Sequence, residues 1–154
     1  MKATAQKGTK TRRIGSTEEA AFLDVVRTAD ILTRPVARLL KTEDLSSTQY
    51  NVLRILRGAP DGLTCGEVGD RMITRDPDIT RLFDRLEKRG LVSRCRETKD
   101  RRMVLTRITP QGLELLARMD GPIQEAHRKS LGHLGKERLR ALSELLAACR
   151  TGKA

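Results

Sequence analysis

One run of the chain, TRDPDITRLFDRLEKRGLVSRCRETKDRRMVLTRIT at residues 74–109, admits few folds. Ile79, Leu82, Phe83 and Leu86 recur at steps of three, four and seven, so they share one stripe of a helix and leave Thr80, Arg81 and Asp84 opposite. One face is core and the other can touch a partner. Asp76 is placed to cap this helix, and Pro77 suits a first helical position, whose N–H has no partner in any case. Gly90 falls just past the end, which predicts a helix over 77–89. Residues 91–96 and 103–108 then predict two strands joined by Glu97-Thr98-Lys99-Asp100, with Arg101 and Arg102 opening the second.

Between residues 74 and 102 ten Lys/Arg stand against six Asp/Glu, so this helix and hairpin carry net positive charge. A helix of this size fits a DNA major groove, and an arginine-tipped hairpin reaches the adjacent minor groove. Charge alone does not separate that reading from a solvated basic surface on an ordinary α+β domain. The order of elements does.

At 154 residues the chain accommodates one domain, or one domain with an extension used for assembly, but not two independent cores. Its net charge of +11 points to a polyanion, and nucleic acid is the commonest one; an acidic protein or an anionic membrane surface stays open on charge alone. Aromatic residues make up 2% of the chain, which argues against reading single strands by base stacking and favours duplex DNA. Cys65, Cys95 and Cys149 have no metal-ligand spacing, and their odd number speaks against a disulfide framework. No apolar run approaches the roughly 18 residues of a membrane span. Residues 1–14 also lack the apolar centre of a secretion signal, so the expectation is a cytoplasmic protein with no membrane partner.

Residues 1–15 carry Lys2, Lys7, Lys10, Arg12 and Arg13 with no acid and are expected to form a disordered basic tail. Ser16 and Glu19 open a capping box. Phe22, Val25, Val26, Ala29, Leu32, Val36, Leu39 and Leu40 continue a helical period to about residue 41. An internal proline costs about 3 kcal/mol, so Pro35 predicts a kink or break at 31–35. A second box, Ser46 with Gln49, starts a helix carrying Tyr50, Val52, Leu53, Ile55 and Leu56, which the turn at 58–62 ends. The third, Thr64 with Glu67, starts a short helix at 65–72 with Val68 and Met72 inward. Two short helices joined by a tight turn, the second one basic, are in helix-turn-helix order. Thr109-Pro110 opens the next helix, striped by Leu113, Leu116 and Met119 and expected to bend at Gly121-Pro122. After a turn at 132–135, the last helix aligns Leu139, Leu142, Leu145, Leu146 and Cys149. The expected fold is mainly α with a small β-hairpin wing. It comprises a dimerisation helix at 16–45, a winged helix-turn-helix domain at 46–109 and C-terminal dimerisation helices at 110–150. The first, fifth and sixth helices carry more apolar surface than a compact six-helix monomer of this size hides, which a homodimer interface built from both chain ends absorbs.

Residues 49–57, the run ITRLFDRLEKRGLVSR and the run DRRMVLTRITPQG together resemble the multiple-antibiotic-resistance regulator (MarR) family of bacterial transcription factors, over roughly residues 45–119. The resemblance implies a triangular homodimer with interlocked terminal helices and two winged domains in successive major grooves of a pseudo-palindromic double-stranded operator. It also implies that Thr80, Arg81 and Arg85 touch phosphates and base edges and that Arg94 lies near the DNA backbone. Arg102, with Arg101 beside it, would enter the minor groove, oriented by Asp100. Guanidinium forks pair with guanine edges and are drawn to narrow minor grooves. One departure matters. Asp76-Pro77-Asp78 stands where many relatives open the recognition helix with small hydroxyl residues, and Asp78 can either accept from a cytosine amino group or weaken non-specific binding.

The resemblance further implies a sequence-specific regulator, a repressor released by a small aromatic or phenolic anion. Its cleft would lie between the first, second and fifth helices, where Tyr50 is the candidate contact and a core tyrosine the alternative. Nothing before Cys65 is a cysteine, so peroxide sensing near the chain start has no counterpart. Cys65 at a helix start is either a thiol of lowered pKa or a buried, inert one. His127 and His133 lack the companions of a metal site, and no cofactor is expected. A non-specific architectural, nucleoid-type protein is the competing reading. An enzyme is not expected, because the chain offers no catalytic triad, phosphate-cradling glycine loop or paired apolar carboxylates.

Overall fold

The computed structural model describes residues 15–96 and 103–152. Helix α1 (Thr17–Thr42) is followed by α2 (Ser47–Arg57), α3 (Cys65–Arg71) and α4 (Ile79–Lys88). Strands β1 (Val92–Arg96) and β2 (Val104–Ile108) pair antiparallel, with Val92 opposite Ile108 and Arg96 opposite Val104. Helix α5 (Pro110–Leu131), a single 3₁₀ turn at Gly132–Leu134 and α6 (Gly135–Thr151) complete the chain. The expected 1–15 tail, apart from Gly15, and the hairpin tip with Asp100, Arg101 and Arg102 lie outside the described residues.

The helix starts follow their caps. Ser46 and Gln49 exchange bonds in a full capping box, as do Thr64 and Glu67, while Ser16 accepts from the Glu19 N–H. Thr109 accepts from the Gly112 N–H, and its hydroxyl donates to the Gly90 carbonyl at 2.6 Å, so one side chain joins the end of α4 to the start of α5. The core gathers Leu40, Val52, Leu53, Leu56, Val68, Phe83, Leu86, Val92 and Leu116, all essentially without exposure, from α1 to α5 and β1. Helix α6 buries no residue.

Three local expectations are corrected. Helix α4 begins at Ile79, with Asp78 in the cap position and making no side-chain cap bond. Asp76 instead accepts from the Asp78 N–H, forming a turn that contains Pro77, two residues before the helix. No break occurs at Pro35, and α5 runs through Pro122 as one helix. In each helix the proline removes one bond, to the Ile31 or the Arg118 carbonyl, and the packing of α1 against α5 sustains the rest. Leu113 is 42% exposed, so Leu115, Leu116, Met119 and Ile123 form the inner stripe of α5.

Gly90 sits at φ +70 just past α4, where the Gly90 N–H bonds to Glu87 O and the Leu91 N–H to Leu86 O. That Schellman ending turns the chain straight into β1. Gly112 is required for a different reason: a Cβ there would lie 2.4 Å from the Leu91 carbonyl oxygen. The root of the hairpin therefore packs directly on the backbone of α5.

Candidate nucleic-acid interface

Helix α4 turns Leu82, Phe83 and Leu86 into the core and leaves Thr80, Arg81, Asp84, Arg85 and Lys88 exposed. Helix α3 braces it from behind. The turn between them is held by Asn51 of α2, whose Oδ1 accepts from the Ile73 N–H at 2.9 Å. An asparagine inside a helix is a weak propensity signal, and this contact is the reason for it here. Beside α4, the hairpin gains a third partner: Leu63 and Thr106 exchange backbone hydrogen bonds of 3.0 and 2.8 Å, anchoring the wing to the segment before α3. Helix, turn, helix and wing thus form one rigid unit with its basic face outward.

The candidate contacts separate by what each already touches. Thr80 is exposed. Arg81 is 75% exposed, with its Nε 3.2 Å from Asp78 Oδ2, a loose surface pair that a phosphate can displace. Arg85 has no ion-pair partner among the described residues. With Lys41, Lys88 and Arg89 it rims an open hollow of about 520 Å³ floored by Leu45.

Arg94 is committed inside the protein. Its guanidinium donates to Glu87 Oε2 from Nε at 2.8 Å and from Nη2 at 2.5 Å, and also to Asp84 Oδ1 at 2.5 Å. The Arg94 N–H meets Glu87 Oε1 as well, at 3.2 Å. These bonds tie β1 to α4, and the arginine hydrogen bonds hold the Glu87 carboxyl below its ordinary pKa. Sequence spacing suggests an arginine near DNA; it does not reveal two carboxylates waiting for it on the neighbouring helix.

Tyr50 is 8% exposed, with the Arg54 guanidinium 5.8 Å from its ring centroid. Burial raises its pKa, and Arg57 and Asp120 are close enough to act on it in opposite directions. Arg57 donates to Asp120 Oδ2 at 2.7 Å, linking α2 to α5. Tyr50 lines neither the hollow beside Arg85 nor a second one of about 630 Å³ between α1 and α5, lined by Pro35, Leu39, Pro122 and Ala126 among others. Cys65 is half-buried, and burial raises its pKa, the direction of an inert thiol. No metal-holding cluster occurs among the described residues, and no described helix is long and apolar enough to cross a membrane.

A short helix in helix-turn-helix order, its basic face outward and flanked by an anchored two-stranded wing, defines a winged helix-turn-helix DNA-binding protein. The comparisons agree and narrow it. The family model described as "MarR family" matches residues 43–103. A MarR transcription factor from Planctomyces limnophilus is 38% identical in its crystal structure, covering 88% of this chain and 98% of its own, with TM-score 0.67. The homoprotocatechuate degradative operon repressor of Escherichia coli is 28% identical over 126 residues, 82% of each chain. The PcaV transcriptional regulator of Streptomyces coelicolor, crystallised with its natural ligand, is 26% identical with TM-score 0.72, covering 90% of this chain and 98% of that one. The chain belongs to the MarR family of transcription regulators, and its activity is that of a DNA-binding regulator.

Proposed function

We propose that the protein is a cytoplasmic homodimeric repressor that places two copies of α4 in successive major grooves of a pseudo-palindromic operator. Residues 16–45 and 110–150 assemble the dimer, and 46–109 read the DNA. Thr80, Arg81 and Arg85 make the groove contacts. Arg101 and Arg102 reach the minor groove with Asp100 orienting them. Arg94 stands near the DNA backbone with its guanidinium held by Asp84 and Glu87, bracing the wing against α4. The observation that carries the reading is the outward face of α4, where Arg85 and Lys88 have no acidic partner among the described residues and Arg81 has only a loose one. The dimer is supported by apolar side chains left uncovered on α1 and α6.

Selection of bound duplexes from a random pool, followed by salt titration of the winner against random DNA, tests this. A regulator keeps a preference of ~10³ or more at physiological salt. Equal binding to both duplexes would establish the architectural alternative.

For release we propose a small aromatic anion, held by the Arg54 guanidinium and the Tyr50 hydroxyl between α2 and α5. The support is the cation stacked on a desolvated phenol, together with relatives named for a homoprotocatechuate operon and crystallised with a natural ligand. Homoprotocatechuate added to the protein–operator complex is expected to dissociate it, and Arg54→Ala to raise the concentration required. No release, or release indifferent to Arg54, would rule out this site.

A further inference from the structure

Helix α1 ends in a turn that is unusual for its side chain. The Leu45 N–H bonds to Leu40 O at 2.9 Å and the Asp44 N–H to Lys41 O at 3.1 Å, the paired bonds of a Schellman ending, with Leu40 and Leu45 both buried. The left-handed position in such an ending normally takes glycine. Here it is Asp44 at φ 52, the one non-glycine with positive φ among the described residues.

The carbonyls at this strained turn have a dedicated partner. Arg89, the residue closing α4, donates from Nη1 to Asp44 O at 2.6 Å and from Nη2 to Glu43 O at 2.9 Å. One rigid guanidinium fork thus spans two successive carbonyls at the negative end of α1. From the other side, Arg118 of α5 reaches Glu43 Oε2 at 3.2 Å. The end of α1 is therefore where the DNA-reading helix and both long helices meet.

We propose that Arg89 is a positioning residue that fixes the angle between α4 and α1, and through it the half-site spacing the dimer accepts. This rests on the dimeric-operator reading above. In a two-fold dimer each α1 belongs to the assembly and each α4 to a groove, so any play at their junction appears as play in the distance between the two grooves. One inserted base pair moves a half-site about 3.4 Å along the duplex and rotates it by roughly a tenth of a turn. A stiff junction rejects that displacement and a loose one follows it. Arg89 makes this link with two bonds to backbone carbonyls, so the link does not depend on the protonation of an acidic side chain.

The test uses the full-length dimer and the selected operator, with the centre lengthened or shortened by one base pair. The unsubstituted protein is expected to lose roughly tenfold or more in affinity for either altered spacing. Arg89→Ala is expected to bind the native spacing about tenfold more weakly and to discriminate between spacings by less than roughly threefold. Arg89→Lys, whose single ammonium cannot span both carbonyls, is expected to fall between them, and it carries the test if Arg89→Ala does not fold. A uniform loss at all three spacings would make Arg89 a DNA contact or a general stabiliser and overturn the proposal, as would a variant with the original spacing profile. If the unsubstituted protein prefers no spacing, the dimeric-operator reading fails first and the proposal with it.

Discussion

Arg81 and Arg94 lie on the same basic module, yet their surroundings assign them opposite tasks. Arg81 is exposed and holds Asp78 loosely, so on DNA it can exchange that carboxylate for a phosphate. Asp78 then remains as a negative charge beside a polyanion. Asp78→Asn is expected to bind random duplex about threefold more tightly and to show a steeper salt dependence, measured by fluorescence anisotropy. Weaker binding to random duplex would show that the carboxylate does not oppose DNA. Arg94, by contrast, holds Glu87 and Asp84 and joins wing to helix. Because Glu87 is more than a third exposed, solvent screening limits the effect, and Arg94→Ala is expected to lower stability by about 0.5–1 kcal/mol in urea unfolding. The sign of its pH dependence follows from the depressed Glu87 pKa. The contribution is present above the ordinary carboxylate range near pH 4.5 and disappears as pH falls through the lower folded value. Melting temperatures should therefore drop more steeply between pH 5.5 and 3.5 in the parent than in Arg94→Ala, and parallel curves would remove Glu87 from this account.

At the level of elements, helix starts were legible wherever a side chain closes its own backbone. Ser46 with Gln49, Thr64 with Glu67 and Thr109 before Pro110 all mark true first turns, because the partners lie within three residues. The start of α4 was not legible to the residue. Asp76 and Asp78 are both acceptable caps, and the choice between them is made by where Ile79 must enter the core. Pro35 and Pro122 interrupt neither helix, because each removes a single bond while the packing of α1 against α5 sustains the rest. The contacts that position the interface were the least visible, since Arg94 with Asp84, Asn51 with Ile73 and Leu63 with Thr106 join separate elements and leave no periodic trace. Thr109 tests how far a single cap supports two elements. Thr109→Val removes both the bond from Gly112 N–H and the one to Gly90 O. It is expected to lower unfolding free energy by about 1–2 kcal/mol. A loss below a few tenths would mean that packing of α5 alone fixes the root of the wing.

For the whole molecule the deciding quantity is what α1 and α6 leave uncovered. Phe22, Val25 and Val26 fall on one face of α1 at 65%, 46% and 50% exposure, and Ile31 continues the apolar surface further along it at 61%. On α6 Leu145 is 67% exposed. A net charge of +11 opposes bringing two copies together, so any association has to draw on these apolar faces and not on charge. Binding to one half-site uses the contacts of one module, while the second module adds its share only if the first holds it at the right distance. Phe22→Glu combined with Leu145→Glu alters residues that the monomer core does not use, so helicity by circular dichroism should be unchanged. Sedimentation should report a monomer, and affinity for the full operator should fall by roughly 10²-fold or more toward that for random duplex. The salt dependence should also become shallower, because one wing and one α4 neutralise about half as many phosphates. A double variant that sediments as a monomer yet keeps operator affinity would show that one module reads the site alone, and the uncovered faces of α1 and α6 would then serve something other than DNA recognition.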